Sequence, residues 1–240
     1  MLDDLKPKAI LFDFYGTLVD IDTDEHEESR WRVVSSFLHY RGSRASAEVL
    51  REKYIHYVAE SLAKSRETHP DVDVVPIFQR IMDEAGVVRD DGLATTVAQL
   101  FRSATIKHLN VFPETAAVID ALSKRFTLAL VTDSQEPYIL PELSQVGLEK
   151  YFPTIVISSR HGYRKPDPRL LQGALETLGV APGDALYVGD SWMRDVAGAN
   201  AAGMHPVWVR REKSINPPPH DFRVDVIRDL SELLRVRQTG

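Results

Sequence analysis

The sequence ILFDFYGTLVD at residues 10–20 ends an apolar run in a single carboxylate, Asp13. Tyr15, Gly16 and Thr17 follow before the chain turns apolar again. A short apolar run bounded by turn residues predicts a buried strand. In an open parallel sheet, ligands bind beyond the carboxyl ends of the strands. Asp13 is therefore expected to lie where a ligand binds.

Further short apolar runs follow at 126–132, 154–158, 185–190 and 206–209. Helical patterns separate them from the second run onward. The segment RLLQGALETLG at 169–179 is one of these patterns, with an apolar stripe and a terminal glycine. Strands that alternate with helices predict an α/β fold, a Rossmann-like parallel sheet with helices on both faces.

One long segment interrupts this alternation. From about residue 21 to residue 110 the sequence has only helical periods, with apolar residues at every fourth position in 50–62. We therefore predict that residues 21–109 form an inserted all-α cap subdomain. Residues 1–20 and 110–240 would then form the Rossmann-like core.

Composition limits the classes of function. The chain has 240 residues and is 43% apolar, enough to bury a sizeable core. Its formal charge of −6 gives no long-range attraction to nucleic acid or anionic lipid, so neither is an expected partner. The absence of cysteine excludes disulfides and thiolate chemistry. No signal pattern or membrane span is found, and we expect a soluble, cytoplasmic protein with a small-molecule substrate and an oligomeric state that stays open.

Carboxylates mark the ends of several predicted strands. Asp13 ends the first, Asp133 the second and Asp190 the fourth, and Asp195 follows five residues after Asp190. A single aspartate there would usually cap a helix or a turn. Two carboxylates about 4 Å apart repel by roughly 4 kcal/mol at an effective dielectric near 20, and a divalent cation removes this penalty. An all-oxygen cluster favours Mg²⁺.

A basic residue and several polar groups complete the candidate site. Lys165 lies just after the third strand, and the two prolines of RKPDP fix the backbone around it. Gly16 and Thr17 permit a tight turn after Asp13. Donors there and at residues 132–134 are suited to binding an oxyanion.

Four segments together resemble the ordered motifs of the haloacid dehalogenase superfamily. They are DFYGTL at 13–18, LALVTD at 128–133, RKPDP at 164–168 and VGDSWMRD at 188–195. The resemblance covers the whole predicted sheet domain. It implies a Rossmann-like core with a helical cap inserted between the first and second motifs.

The resemblance also assigns roles. It implies that Asp13 is the nucleophile, that Thr132 hydrogen-bonds the transferring group, and that Lys165 offsets negative charge. The implied Mg²⁺ ligands are Asp13, Asp190, Asp195 and the backbone carbonyl of Tyr15. The residues expected on the substrate and leaving-group side are Tyr15, Gly16, Thr17, Asp133 and Ser134.

Tyr15 departs from the phosphatase pattern. Phosphatases that this chain resembles carry a second aspartate there, which protonates the leaving oxygen, whereas tyrosine is typical of 2-haloacid dehalogenases, which need no metal. The motif GDSWMRD keeps both aspartates of the implied metal site, and Leu171 stands where dehalogenases tend to have tyrosine. Tyrosine has an ordinary pKa of about 10, against about 3.9 for aspartate, so it is a poor proton donor.

Three interpretations therefore stay open. The first is a Mg²⁺-dependent phosphohydrolase that acts on a small phosphorylated metabolite through an aspartyl-phosphate. The second is a metal-independent 2-haloacid dehalogenase. The third is a catalytically weak phosphate-binding protein. If the enzyme does use a general acid other than Tyr15, the insertion is one source for it, and His26 is one candidate.

Overall fold

The computed structural model describes residues 2–25, 27–88, 90–211 and 217–237. His26, the candidate acid from the insertion, lies outside these residues. In chain order the elements are β1 (Ala9–Phe12), β2 (Val19–Thr23), α1 (Glu28–Tyr40), α2 (Ala47–Lys64), α3 (Val74–Glu84), α4 (Leu93–Thr105), β3 (Ile106–Val111), α5 (Thr115–Ser123), β4 (Thr127–Thr132), α6 (Glu136–Gln145), β5 (Thr154–Ile157), α7 (Pro168–Leu178), β6 (Ala185–Gly189), α8 (Ala197–Ala201), β7 (His205–Val209) and β8 (Asp225–Ile227).

Six strands form one parallel sheet, in the order β5-β4-β1-β6-β7-β8. The predicted α/β fold with a parallel sheet is thus confirmed. The chain leaves β1 and later returns to both sides of it, so β1 lies at the topological switch point where such sheets bind ligands. Phe12 of β1 pairs with Leu130 of β4 and Val188 of β6. This register brings the carboxyl ends of the three strands together.

Alternation along β1 explains why the sheet is covered on both faces. Ile10 and Phe12 pack into one apolar cluster with α5 and α6, while Ala9 and Leu11 pack into another with α7. All four residues are fully buried. A strand buried on both faces reads as a continuous apolar run, which is the pattern that opens the sequence.

The insertion differs from the prediction at its two ends. Helices α1 to α4 occupy its middle, but β2 and β3 pair with each other as an antiparallel ribbon before and after them. Helical periods alone therefore do not describe 21–110. Asp20, Asp22 and Asn110 lie in the ribbon, and such polar residues hide the strand signal. The domain boundaries at 20/21 and 109/110 fall inside these strands, and the division into core and cap stays a prediction.

The four inserted helices have an apolar core of their own. It contains an aromatic group in which the Trp31 and Phe101 ring centroids lie 4.6 Å apart and those of Tyr54 and Phe78 lie 5.3 Å apart. Aromatic contacts of this kind add to the free energy gained by burying the rings. Among the described residues, no helix is both long enough and apolar enough to cross a membrane.

The sheet core should be far more sensitive to truncation than the surface. We expect Ile10→Ala to lower the free energy of unfolding by about 2–5 kcal/mol, because it removes a fully buried side chain and leaves a cavity. Ile55→Ala is the matched control, since Ile55 is 44% exposed, and it should change this free energy by about 0.5 kcal/mol or less. Urea unfolding measures both, and equal losses would contradict this account of the core.

Candidate active site

Asp13 follows the last residue of β1 and is buried. Its backbone amide donates to the carbonyl of Val188, 2.9 Å away, which continues the sheet register by one residue. Gly16 then turns the chain with φ of +79°. A Cβ on Gly16 would lie only 2.5 Å from a carboxylate oxygen of Asp190. Glycine therefore lets the turn pass directly beside the second carboxylate.

Three carboxylates converge beyond the strand ends. Each of Asp13, Asp190 and Asp195 offers an oxygen, and these oxygens lie within 4.8 Å of one another. Asp195 lies in the wide helical turn Trp192–Val196 that leads into α8. A Cβ on Gly189 would lie 2.4 Å from the Asp195 side chain, so only glycine allows this approach. The sequence prediction of a carboxylate cluster at this edge agrees with the placement of all three side chains.

Lys165 lies between two of these carboxylates. Its Nζ atom is 2.8 Å from Asp13 Oδ1 and 2.6 Å from Asp195 Oδ1, and its side chain is 1% exposed. Nζ also donates to the Tyr187 hydroxyl, 2.8 Å away, and to the carbonyl of Val131. Charge-assisted bonds of this kind are stronger than neutral ones and hold the ammonium group in a fixed position.

The electrostatics of the cluster favour a cation. Burial raises the pKa of Asp13 to about 7, Lys165 opposes this, and Asp195 and Asp190 raise it further. Burial likewise raises the pKa of Asp190 to about 6, with Asp195 adding to the effect. Burial lowers the pKa of Lys165, but Asp13 and Asp195 outweigh it and raise that pKa well above its usual value. One lysine cannot neutralise three carboxylates, and the all-oxygen donor set fits a hard divalent cation.

Residues 132–134 have distinct surroundings. The Thr132 hydroxyl is buried and has no hydrogen-bond partner among the described residues. Oδ1 of Asp133 accepts from the Lys165 backbone amide at 3.0 Å, so Asp133 holds the loop that carries the lysine. The Ser134 amide donates to the Ser158 hydroxyl at 2.9 Å. The free Thr132 hydroxyl is the donor most available to a ligand, and the oxyanion role of 132–134 stays a prediction.

The contacts of Tyr15 argue against a role as proton donor to the leaving group. Its hydroxyl donates to Glu142 Oε2 at 2.7 Å and lies 3.3 Å from the Ser134 hydroxyl. Burial raises the pKa of Tyr15, and the charge of Glu142 raises it further. A phenol with a raised pKa is a weaker acid than free tyrosine, and its hydrogen is already bound to a carboxylate.

Glu142 also binds Arg102, so Tyr15 belongs to a buried network. Arg102 Nε donates to Glu142 Oε1 at 2.7 Å, and the two side chains are 11% and 6% exposed. Arg102 lies in α4 and Glu142 in α6, so the pair joins the inserted helices to the sheet core. Sequence reasoning missed both residues. The available signal was a charged residue on an apolar helix stripe, Glu142 beside Ile139 and Leu143.

The fourth motif contains one further charged group that sequence reasoning overlooked. Arg194 lies immediately before Asp195, and its Nη1 atom is 3.9 Å from Asp133 Oδ2. Burial lowers the pKa of Arg194, but the surrounding aspartates outweigh this and raise it, Asp13 first among them. Trp208 also holds this turn in place, because its Nε1 donates to the Asp190 carbonyl at 2.9 Å.

A cavity of about 400 Å³ opens between the sheet core and the inserted helices. Tyr15, Asp133 and Ser134, three of the residues predicted on the leaving-group side, line it. Gly16 and Thr17 do not line it. Instead the Thr17 hydroxyl donates to Asp190 Oδ1 at 3.2 Å. The structure thus divides the predicted leaving-group residues between the cavity and the carboxylate cluster.

Residues 7–203 match the family model of a haloacid dehalogenase-like hydrolase. The match includes all four motifs and the inserted helices.

Individual relatives and solved structures agree with it. The chain is 26% identical over 235 residues to a glyceraldehyde 3-phosphate phosphatase of Methanopyrus kandleri, covering 95% of this chain and 97% of that protein. It is 34% identical over 157 residues to a phosphoserine phosphatase of Thermus thermophilus, covering 64% and 62%. The crystal structure of a 2-haloacid dehalogenase from Pseudomonas syringae pv. Tomato DC3000 superposes with a TM-score of 0.67 over 96% of this chain and 97% of that one, at 23% identity. At that identity, the likeness concerns the fold alone.

The carboxylate cluster should make stability depend on a divalent cation. We expect Mg²⁺ to raise the thermal midpoint of the wild type, because binding to the folded state alone stabilises by RT ln(1 + [L]/Kd), about 2.7 kcal/mol at 100 times Kd. Asp190→Ala should largely lose this response. The exposed Asp221 gives a matched control, Asp221→Ala, which should keep it. Differential scanning fluorimetry across a Mg²⁺ series measures all three proteins, and an equal rise in all of them would rule out the cluster as the site.

Proposed function

The chain belongs to the haloacid dehalogenase-like hydrolases, and from this premise we propose that it is a Mg²⁺-dependent phosphohydrolase acting on a small phosphorylated metabolite through an aspartyl-phosphate at Asp13. The observation that carries the proposal is the cluster of Asp13, Asp190 and Asp195 beside Lys165. Relatives named as phosphatases support phosphoryl transfer as the reaction class.

The chemistry has two steps. A carboxylate oxygen of Asp13 attacks phosphorus, the O–P bond forms, and the bond to the leaving oxygen breaks. Water then attacks the same phosphorus, the bond to Asp13 breaks, and inorganic phosphate leaves. Splitting the reaction in this way replaces one difficult displacement with two easier ones.

The surrounding residues hold the reacting groups in place. Lys165 favours the charged form of Asp13 and faces the negative charge that builds up on the phosphoryl oxygens. The Thr132 hydroxyl, which has no partner in the part of the chain that the structure describes, is available to donate to one of those oxygens. Asp190, Asp195 and the Tyr15 carbonyl would hold the metal with Asp13. When bound, Mg²⁺ would neutralise the clustered carboxylates and stabilise charge on the phosphoryl group.

Tyr15 makes this enzyme differ from the phosphatases that it resembles. Its hydroxyl donates to Glu142, and its pKa is raised, so it does not protonate the leaving oxygen efficiently. We therefore propose that the enzyme favours leaving groups that depart as stable anions, such as those of aryl and acyl phosphates. Alkyl phosphates would react more slowly.

The dehalogenase interpretation remains as a rival because of Tyr15 alone. In that reaction Asp13 would displace halide from a carbon atom and no metal would be needed. A panel of phosphate esters and 2-haloacids, each assayed with Mg²⁺ and with EDTA, separates the interpretations. Halide release in EDTA supports the dehalogenase, phosphate release that needs Mg²⁺ supports the phosphohydrolase, and phosphate-analogue binding without turnover supports a phosphate-binding protein.

The covalent role of Asp13 can be tested directly. We expect Asp13→Asn to lower kcat by more than about 10⁴-fold, because it removes the nucleophile while keeping the side-chain shape. Rapid-quench mass spectrometry of the wild type should detect one added phosphoryl group, and the variant should show none. Substantial turnover by pure Asp13→Asn protein with an unchanged melting temperature would refute the role.

The role of Tyr15 is tested with esters graded by leaving-group pKa. General acid catalysis is worth about 10²–10⁴ in rate, so kcat/KM should fall steeply from aryl to alkyl phosphates in the wild type. Tyr15→Phe should keep the steep dependence, whereas Tyr15→Asp should narrow it by accelerating alkyl esters. A flat dependence in the wild type would mean that a different residue supplies the proton.

A further inference from the structure

Four of the residues that line the cavity form a group distinct from the aspartates, which we call the tyrosine wall: Glu25, Tyr54, Arg102 and Tyr138. They come from four separate places in the chain, since Glu25 precedes α1, Tyr54 is in α2, Arg102 is in α4 and Tyr138 is in α6. Burial raises the pKa of the Tyr54 hydroxyl, and the negative charge of Glu25 raises it further. The guanidinium of Arg102 lies 5.2 Å from the ring centroid of Tyr138.

The hydroxyl of Tyr138 is unsatisfied. Tyr138 is 5% exposed, and its hydroxyl has no hydrogen-bond partner among the residues that the structure describes. Buried tyrosine hydroxyls normally find a partner, since an unpaired polar group away from water is unfavourable. Because Tyr138 lines the cavity, a ligand with a hydroxyl or carbonyl group would supply the missing bond.

The wall does not offer a free positive charge. Arg102 already binds Glu142 through Nε and Nη2, at 2.7 and 3.3 Å. Glu25 adds a second carboxylate to the same side of the cavity. One guanidinium therefore faces two carboxylates, and a ligand carboxylate brought against the wall would be repelled.

Part of the cavity lining is apolar. Ile21, Val58, Val72 and Val74 line the same cavity, so the carbon skeleton of a ligand can be buried next to the polar groups. Small-molecule sites typically combine apolar lining with polar groups that fix the orientation of the ligand. Tyrosine hydroxyls and a carboxylate acceptor suit alcohol groups, which both donate and accept.

We propose that the tyrosine wall binds the hydroxyl or carbonyl groups of an uncharged leaving group, so that among alkyl phosphates the enzyme prefers those of polyols, sugars or hydroxy-carbonyl compounds to those of carboxylic acids. This inference rests on the proposed function for the phosphate end of the ligand. It predicts that the enzyme discriminates between neutral and acidic leaving groups of equal size.

Two other arginines, Arg194 and Arg164, also line the cavity. Arg194 is set against the aspartates, with Asp133 at 3.9 Å. Arg164 is exposed and lies at the rim. If an acid were the true leaving group, its carboxylate would bind Arg164, and this gives the alternative outcome of the test.

Two matched pairs of esters test the proposal. Sorbitol 6-phosphate and 6-phosphogluconate differ only at the far carbon, as do glycerol 3-phosphate and 3-phosphoglycerate. All four are primary alkyl phosphates, so the leaving-group effect of Tyr15 cancels within a pair. We expect kcat/KM to favour the neutral member by at least about tenfold in the wild type.

Variants assign the preference to the wall. Glu25→Gln should shrink the neutral-to-acid ratio by about tenfold, because it removes the charge that repels the acid. Tyr138→Phe should lower the ratio by weakening the neutral member. The exposed Glu52 gives a matched control, Glu52→Gln, in which the ratio should stay as in the wild type.

The outcomes separate this proposal from the proposed function. Calorimetric binding of the same pairs to Asp13→Asn protein gives the preference without turnover. A neutral preference in binding, with no phosphate release by the wild type, would overturn the phosphohydrolase and support the wall. Hydrolysis of acetyl phosphate by the wild type, with an equal or reversed preference among the four esters, would support the phosphohydrolase and overturn the wall. Failure of Asp13→Asn protein to bind any of the four esters would overturn the wall. Loss of acid binding in Arg164→Ala would then identify the rim arginine as the alternative.

Discussion

Lys165 carries its ammonium group into the protein interior, where Asp13 and Asp195 lie 2.8 and 2.6 Å from Nζ. A buried charge without partners is unfavourable by several kcal/mol, so the lysine and the carboxylates require one another. The parallel register of β1 and β6 brings Asp13 close to the turn that carries Asp190 and Asp195, and the glycines at 16 and 189 leave room for the side chains of Asp190 and Asp195. The lysine still leaves an excess of negative charge, which explains why the same place suits a cation.

A second buried pair extends the site beyond the sheet. Glu142 receives hydrogen bonds from Tyr15 in the first motif and from Arg102 in α4. The tyrosine thus replaces an acidic group with a structural contact, and the inserted helices contribute to the wall of the cavity. The position that departs from the phosphatase pattern is also a position at which the inserted helices approach the turn after β1, because the Arg102 guanidinium lies 5.4 Å from the Tyr15 ring centroid.

The sheet and the carboxylate cluster could be predicted from sequence because their signals are local. Strand ends, glycines and aspartates follow one another along the chain, and parallel pairing then brings the ends together. The Arg102–Glu142 pair could not be found in this way, since its two residues are far apart in sequence and each is common on a helix surface. The ribbon of β2 and β3 was missed for a related reason, because its polar residues give no apolar alternation. Contacts that need two distant segments to meet depend on packing geometry, which the periodicity of one segment does not contain.

The Arg102–Glu142 pair has a consequence for the relative motion of α4 and α6. The pair joins these two helices, and both side chains are largely shielded from solvent. Moving α4 away from α6 would separate the two charges, and breaking a buried pair typically costs about 3–5 kcal/mol. A cost of that size slows such a separation by roughly 10²–10⁴-fold relative to helices held together by apolar contacts alone. Because Arg102 also lines the cavity, that side of the cavity should keep its shape for as long as the two helices stay paired.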